Sequence, residues 1–146
     1  MSAEENKRIS RRIAEEGFSQ GNVDVIDELV AEDFVNHDTT APPGRPPGRE
    51  GLKELVRFYE TAFPGSQLMV EDQIAEGDKV VTRYSVRGTH KGDFAGLPPT
   101  GKEVTGSGIT IDRIEGGKIV ESWNEFDLFG LMQQLGVIPE QVGTQA

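Results

Sequence analysis

The stretch Val80-Val81-Thr82-Arg83-Tyr84-Ser85-Val86-Arg87 alternates in character residue by residue. Val80, Thr82, Tyr84 and Val86 fall on one side, and Val81, Arg83, Ser85 and Arg87 on the other. Successive strand side chains point to opposite faces, so this is a strand with one face against a core. Upstream, Leu68, Val70 and Ile74 mark a partner strand, with Glu76-Gly77-Asp78 as the turn between them. Downstream, a Gly/Pro-rich connection from Lys91 to Gly101 leads to a strand over about 103–114. Gly116-Gly117 then makes a hairpin turn into a last strand, Lys118 to Phe126.

Before Pro64-Gly65 the period is helical. Ser2 and Glu5 form a capping box ahead of Ile9, Ile13 and Phe18, and Gly21 is the stop. A second helix is expected from about Val23 to Ala31. The third carries Leu52, Leu55, Val56, Tyr59 and Phe63 at 3.6-residue spacing. Between them lies Ala41-Pro42-Pro43-Gly44-Arg45-Pro46-Pro47-Gly48, whose four prolines require an extended loop. A short helix over 127–135 closes the chain before Gly136, and the tail from Glu140 is expected to fray. Three helices followed by a four-stranded antiparallel meander is an α+β pattern, in one domain spanning 1–146. The helices cover one face of a curved sheet, and the concavity is where a small ligand belongs.

Composition narrows the function classes. The 146 residues include 15 basic and 25 acidic side chains, a net charge of −10, and no cysteine. Residues 1–65 hold 8 basic and 13 acidic groups, and residues 66–146 hold 7 and 12, so no basic patch hides in the average. Nucleic acid and anionic membrane surfaces are excluded as partners. Thiol, zinc-finger and iron–sulfur chemistry go with the missing cysteine. No stretch reads as a leader or a membrane span, so the expectation is a soluble cytoplasmic protein.

Three motifs fail on inspection. Gly96 to Lys102 fits G-x-x-x-x-G-K, but Glu103 stands where a hydroxyl should hold magnesium, and Pro98-Pro99 removes cradle N–H groups. Gly106-Ser107-Gly108 lacks the nucleophile-elbow spacing and reads as a kink or bulge. His37 and His90 are the only histidines, without metal-ligand spacing, so no metal site is expected.

What remains is carboxylate and imidazole acid–base chemistry. Asp127 closes Glu121-Ser122-Trp123-Asn124-Glu125-Phe126-Asp127, sharing strand parity with Trp123. Two roles are open to it: helix N-cap, or acid–base group in an apolar pocket that raises its pKa. Glu121 and Glu125 share that parity, and three carboxylates in one apolar wall are costly. Either the strand bends or some of them reach the rim.

The chain resembles the SnoaL-like polyketide cyclases (ester cyclases) of the nuclear-transport-factor-2-like superfamily. The resemblance is carried by Gly21-Asn22-Val23-Asp24 through Glu32-Asp33-Phe34-Val35-Asn36-His37, by Gly88 through Lys102, and by Gly117-Lys118-Ile119-Val120-Glu121-Ser122-Trp123 through Gly136. It implies an α+β cone, often a homodimer, with a deep apolar pocket. It also implies intramolecular aldol ring closure of a small apolar carbonyl compound without metal or cofactor, with Asp127 as the acid–base carboxylate. Around it, His37 is a candidate to polarise a carbonyl or orient Asp127, the alternative being a satisfied histidine. His90 is a candidate for the pocket mouth. Arg113 is either an oxyanion donor or an outward arginine paired with Glu115 or Glu121. Trp123 and Tyr84 are read as pocket or core walls. The rival class is a non-catalytic pocket or dimerisation protein. Epoxide hydrolysis would need Asp112, Arg113 and Asp127 around one water, but neighbours 112 and 113 point to opposite faces.

Overall fold

The structure, a computed structural model, describes residues 2–139. Its elements are α1 (Ala3–Arg12), α2 (Asp24–Leu29), β1 (Val30–Asn36), α3 (Arg49–Ala62), β2 (Gln67–Glu76), β3 (Lys79–Thr89), β4 (Glu103–Glu115), β5 (Lys118–Phe126) and α4 (Leu128–Gln134). One sheet runs in the order β1-β5-β4-β3-β2, antiparallel except for β1, which pairs parallel with β5. The α+β pattern and the meander are present, with a fifth strand added at the β5 edge. The tail from Glu140 lies outside the described residues.

The helix over 23–31 is shorter than its pattern suggests, because the chain becomes extended at Val30. In β1 only Val30 and Phe34 are buried, four residues apart, and the pairing with β5 shifts register between Val30 and Val35. A strand with that interruption shows no period of two, so its sequence does not announce it.

The first helix begins as its capping box requires: Ser2 Oγ accepts the Glu5 N–H at 3.1 Å. After Arg12 it widens into a π-helical segment, Ile13–Ser19. The five-residue step from Ile13 to Phe18 fits this wider turn better than an α-helix. Arg12 binds both Glu16 (2.7 Å) and Glu28 (2.6 Å), fastening this segment to α2.

Two apolar clusters fill the cone. One joins α1, α2, α3 and the β1 end of the sheet around Ile26, Val30, Val80 and Ile119. The other joins the end of α3 to α4 through Phe63, Phe94, Val104 and Leu131.

Gly106-Ser107-Gly108 is not a bulge: the β3–β4 pairing runs through it without a register shift. Its glycines admit two rings instead. A Cβ at Gly106 would stand 2.7 Å from the Phe126 ring, and one at Gly108 would collide with Tyr84. Those two rings are parallel, tilted by 4° with centroids 6.5 Å apart. The glycines therefore leave room for both rings to lean over β4. Gly108→Ala should destabilise the protein by about 1–3 kcal/mol through overpacking. In a Tyr84→Leu background the same change should cost less, and equal costs measured by urea unfolding would show that the two side chains do not compete for that space.

Candidate functional site

A cavity of about 180 Å³ lies between the two clusters and draws its lining from both. The sheet supplies one wall through the inward residues of β3, β4 and β5. Cross-strand pairing arranges these in rows: Val80, Asp112 and Ser122 in one, Thr82, Thr110 and Asn124 in the next, then Tyr84, Gly108 and Phe126. Two polar rows thus cross an inner face that is otherwise apolar.

Four groups meet around Asp38, just beyond β1. The Asp38 N–H donates to Asn36 Oδ1 at 3.0 Å, and Asp38 Oδ1 accepts the Thr40 N–H (2.9 Å) and hydroxyl (2.6 Å). Asn124 Nδ2 donates to Asp38 Oδ2 at 3.1 Å, while Asn124 Oδ1 accepts the Tyr84 hydroxyl at 2.8 Å. Both Asp38 oxygens are engaged, and the carboxylate is fixed where it lines the cavity. Burial, and then the nearby Asp38 charge, push the Tyr59 phenol up to about 12. Burial raises Tyr84 as well, with the Asn124 hydrogen bond pulling the other way. Both phenols are neutral donors at ordinary pH.

Asp112 is the second carboxyl of the cavity. It is 6% exposed, and the Ser122 hydroxyl makes a short hydrogen bond to its Oδ1. Burial raises its pKa, offset in part by the hydroxyls of Ser122 and Ser10.

The sequence candidates divide differently from the expectation. Tyr84 lies in the cavity wall. Asp127 stands at the exposed end of β5, and its Oδ1 accepts the Gly130 N–H at 2.9 Å as the N-cap of α4. The cavity lining does not include it. His37, Trp123 and Arg113 sit together on the outer face of the sheet. The His37 ring stacks on Trp123 at 5.0 Å, and His37 Nε2 meets Glu121 at 2.7 Å. Arg113 donates to Glu121 at 2.9 Å and to Glu115 at 2.7 Å, the outward pairing that the sequence left open. His37, and after it Arg113, hold the Glu121 carboxyl below its ordinary range. Lys79 lies 5.9 Å above the Trp123 ring.

The parity argument was sound about which residues share a face, but that face is the outer one. The β4–β5 register shifts between Arg113 and Ile114, so Ile119 and Ser122 both point inward while Glu121, Trp123 and Glu125 point out. His90 is fully buried under the Gly/Pro-rich loop rather than at a mouth: its Nδ1 accepts the Thr100 N–H at 3.1 Å, and its ring packs on Phe63.

Among the residues that sequence reasoning missed, Asp38 carries a legible signal, since Asn36-His37-Asp38-Thr39-Thr40 holds two overlapping Asx-turn patterns. Among the described residues, no group of three or more His, Cys, Asp or Glu side chains is placed to hold a metal, and no helix is long and apolar enough to cross a membrane.

Fold and cavity define a class: an α+β protein whose helices pack on a curved sheet around a cavity lined by the sheet's inner face. The chain belongs to the SnoaL-like polyketide cyclase family, whose model matches residues 8–135. It is 31% identical to the nogalonic acid methyl ester cyclase of Streptomyces nogalater over 82% of this chain and 89% of that one. It is 27% identical to the aklanonic acid methyl ester cyclase DnrD of Streptomyces peucetius, over 83% and 84%. Among solved structures, TsrD from Streptomyces laurentii superposes with a TM-score of 0.85 at 25% identity, covering 94% of this chain and 99% of that one. IdmH from Streptomyces antibioticus gives 0.78 at 35%, covering 90% and 99%.

Two measurements test this geometry. Asp127→Ala should lower the unfolding free energy by about 1 kcal/mol through loss of the cap, whereas Asp127→Asn, which still caps, should cost only a few tenths. Equal losses in urea unfolding would remove the capping role. Asp112 binds its proton more tightly folded than unfolded, so its contribution is complete below the unfolded carboxyl value and is lost as pH rises through the folded one. Wild-type stability relative to Asp112→Asn should therefore decline with rising pH above about 4. A difference that stays constant to pH 8 would show that the buried carboxyl titrates like an exposed one.

Proposed function

We propose that the protein is a cofactor-independent acid–base cyclase that closes a ring within a small apolar carbonyl compound held in this cavity. One observation carries the reading: a carboxylate fixed by donors on both oxygens, Asp38, lines an apolar cavity beside two neutral phenols. In the reaction, Asp38 takes a proton from a carbon activated by a neighbouring carbonyl. The electron pair left on that carbon forms the new bond to a second carbonyl carbon of the same molecule. The oxygen of that carbonyl then takes the proton back from Asp38 and becomes a hydroxyl, so substrate and product are isomers. Tyr84 and Tyr59, as neutral donors, stabilise charge on the enolate or alkoxide oxygen. The apolar walls exclude water and hold the two ends of the molecule together. Asn124 positions the pair by accepting from Tyr84 and donating to Asp38.

Pairing of two copies belongs to the same reading. It is supported by the outer sheet face, where Met69, Ile74 and Ile109 are exposed, Ile74 at 65%.

The methyl esters of nogalonic and aklanonic acids, on which the named relatives act, are the first compounds to test. Asp38→Asn should lower turnover by about 10²–10⁴-fold while leaving binding intact, because the amide keeps the acceptor to Thr40 but cannot take a proton. Conversion at the wild-type rate would remove Asp38 from the chemistry, and binding without any conversion by the wild type would favour a non-catalytic pocket.

A further inference from the structure

Asp112 has no structural reason to be acidic. Its inward neighbours across and along the sheet include Val80 and Ile114, both buried and apolar. It caps no helix, and among the described residues no Lys, Arg or His lies within ion-pair reach of it. The Ser122 hydroxyl donates to its Oδ1, and the Ser10 hydroxyl lies close enough to lower its pKa, so two hydroxyls and no cation face it. A carboxyl in such a place costs free energy unless something uses it.

The element above it repeats the oddity. Helix α1 turns Ser10 onto the same part of the cavity, where the residue is 3% exposed and its buried hydroxyl, near Asp112, completes no well-formed hydrogen bond. The nearby hydroxyls of Thr110 and Thr82 are already committed, Thr110 to the Trp123 carbonyl at 3.0 Å and Thr82 to Gln73 at 3.1 Å. Hydrogen-bonding capacity is therefore left over at Asp112 and Ser10, both of which line the cavity.

We propose that Asp112, with Ser122 and Ser10, is an oxygen-recognition site in the cavity wall, which takes a neutral carbonyl or hydroxyl group of the bound compound and fixes its orientation. The site is distinct from the Asp38 cluster, although the pairing sets the two close together. Asp112 pairs with Ser122, and Thr110 with Asn124, so Asp112 and Asn124 are diagonal neighbours, roughly 7–8 Å apart on one face. One compound can touch both. Burial raises the Asp112 pKa, and a protonated carboxyl offers an O–H donor on one oxygen and an acceptor on the other. The inference rests on the cavity being the ligand site, but not on the ring closure.

The test uses two ligands of one shape. 2-Acetylnaphthalene and 2-isopropenylnaphthalene differ only in C=O against C=CH2. Their dissociation constants are measured by NMR titration on the full chain, with the Ser10, Thr82 and Thr110 amides reporting the location. Asp112→Leu should shift the affinity ratio against the ketone by on the order of tenfold and leave the alkene bound as well as before. Asp112→Asn, which keeps a donor, should hold the ratio near wild type. An unchanged ratio in Asp112→Leu overturns the recognition site and leaves the cavity reading standing. Failure of both ligands to bind the wild type, or binding away from those amides, overturns both.

Discussion

A polar group on the inner face of a curved sheet must find a partner there, because the face is closed off from water. That constraint organises this protein. Two polar rows cross the inner face of β3, β4 and β5, and the cavity, the loop after β1 and the first helix are arranged so that most of those groups are satisfied. Thr110 bonds the backbone of β5, Gln73 reaches across to Thr82, and Asn124 joins Tyr84 to Asp38. Where Ser10 and Asp112 face the cavity, capacity remains. The glycines of β4 serve the same end, since without side chains they let Tyr84 and Phe126 lean over the sheet and bring the phenol to Asn124.

Much of this was legible from residue order. The alternation from Val80 to Arg87, the turn after Glu76, the spacing of Leu52, Leu55 and Val56, and the Ser2–Glu5 cap each rest on local geometry, and each appears in the fold. Strand β1 was not legible because its buried residues are four apart and its partner, β5, lies some ninety positions on. The π-helical stretch left a trace, the five-residue step to Phe18, that an α-helical template absorbs without complaint.

The site was harder to read, for a reason specific to sheets. Periodicity says which residues share a face but not which face is inside. On β5, Trp123 and Asp127 share a parity that residue type alone assigns to a pocket wall. The costly row of Glu121, Glu125 and Asp127 was the better guide. Three carboxylates on one side are cheap in water, and the structure puts Glu121 and Glu125 on the outer face, Glu121 paired with Arg113, and Asp127 at the exposed end of β5. The opposite parity, Ser122, Asn124 and Phe126, looks less chemical by residue type, yet it faces the cavity. Asp38 was overlooked because it belongs to no periodic element, and only its Asx turns announce it.

The two carboxyls of the cavity differ through environment rather than residue type. Asp38 stands where backbone and side-chain donors converge on it, three of them within 3.1 Å. Such an arrangement holds the carboxylate in a single orientation against the cavity. Asp112 stands where the Ser122 and Ser10 hydroxyls face it and no cation among the described residues is near, so burial is the largest influence on its proton. An arrangement of that kind holds the proton more tightly than an exposed carboxyl does. A net charge of −10 made carboxylates appear interchangeable, and most of them are, on helix surfaces and turns. These two differ from the rest, and from each other, because the sheet register and the loop after β1 set them against opposite surroundings within one cavity.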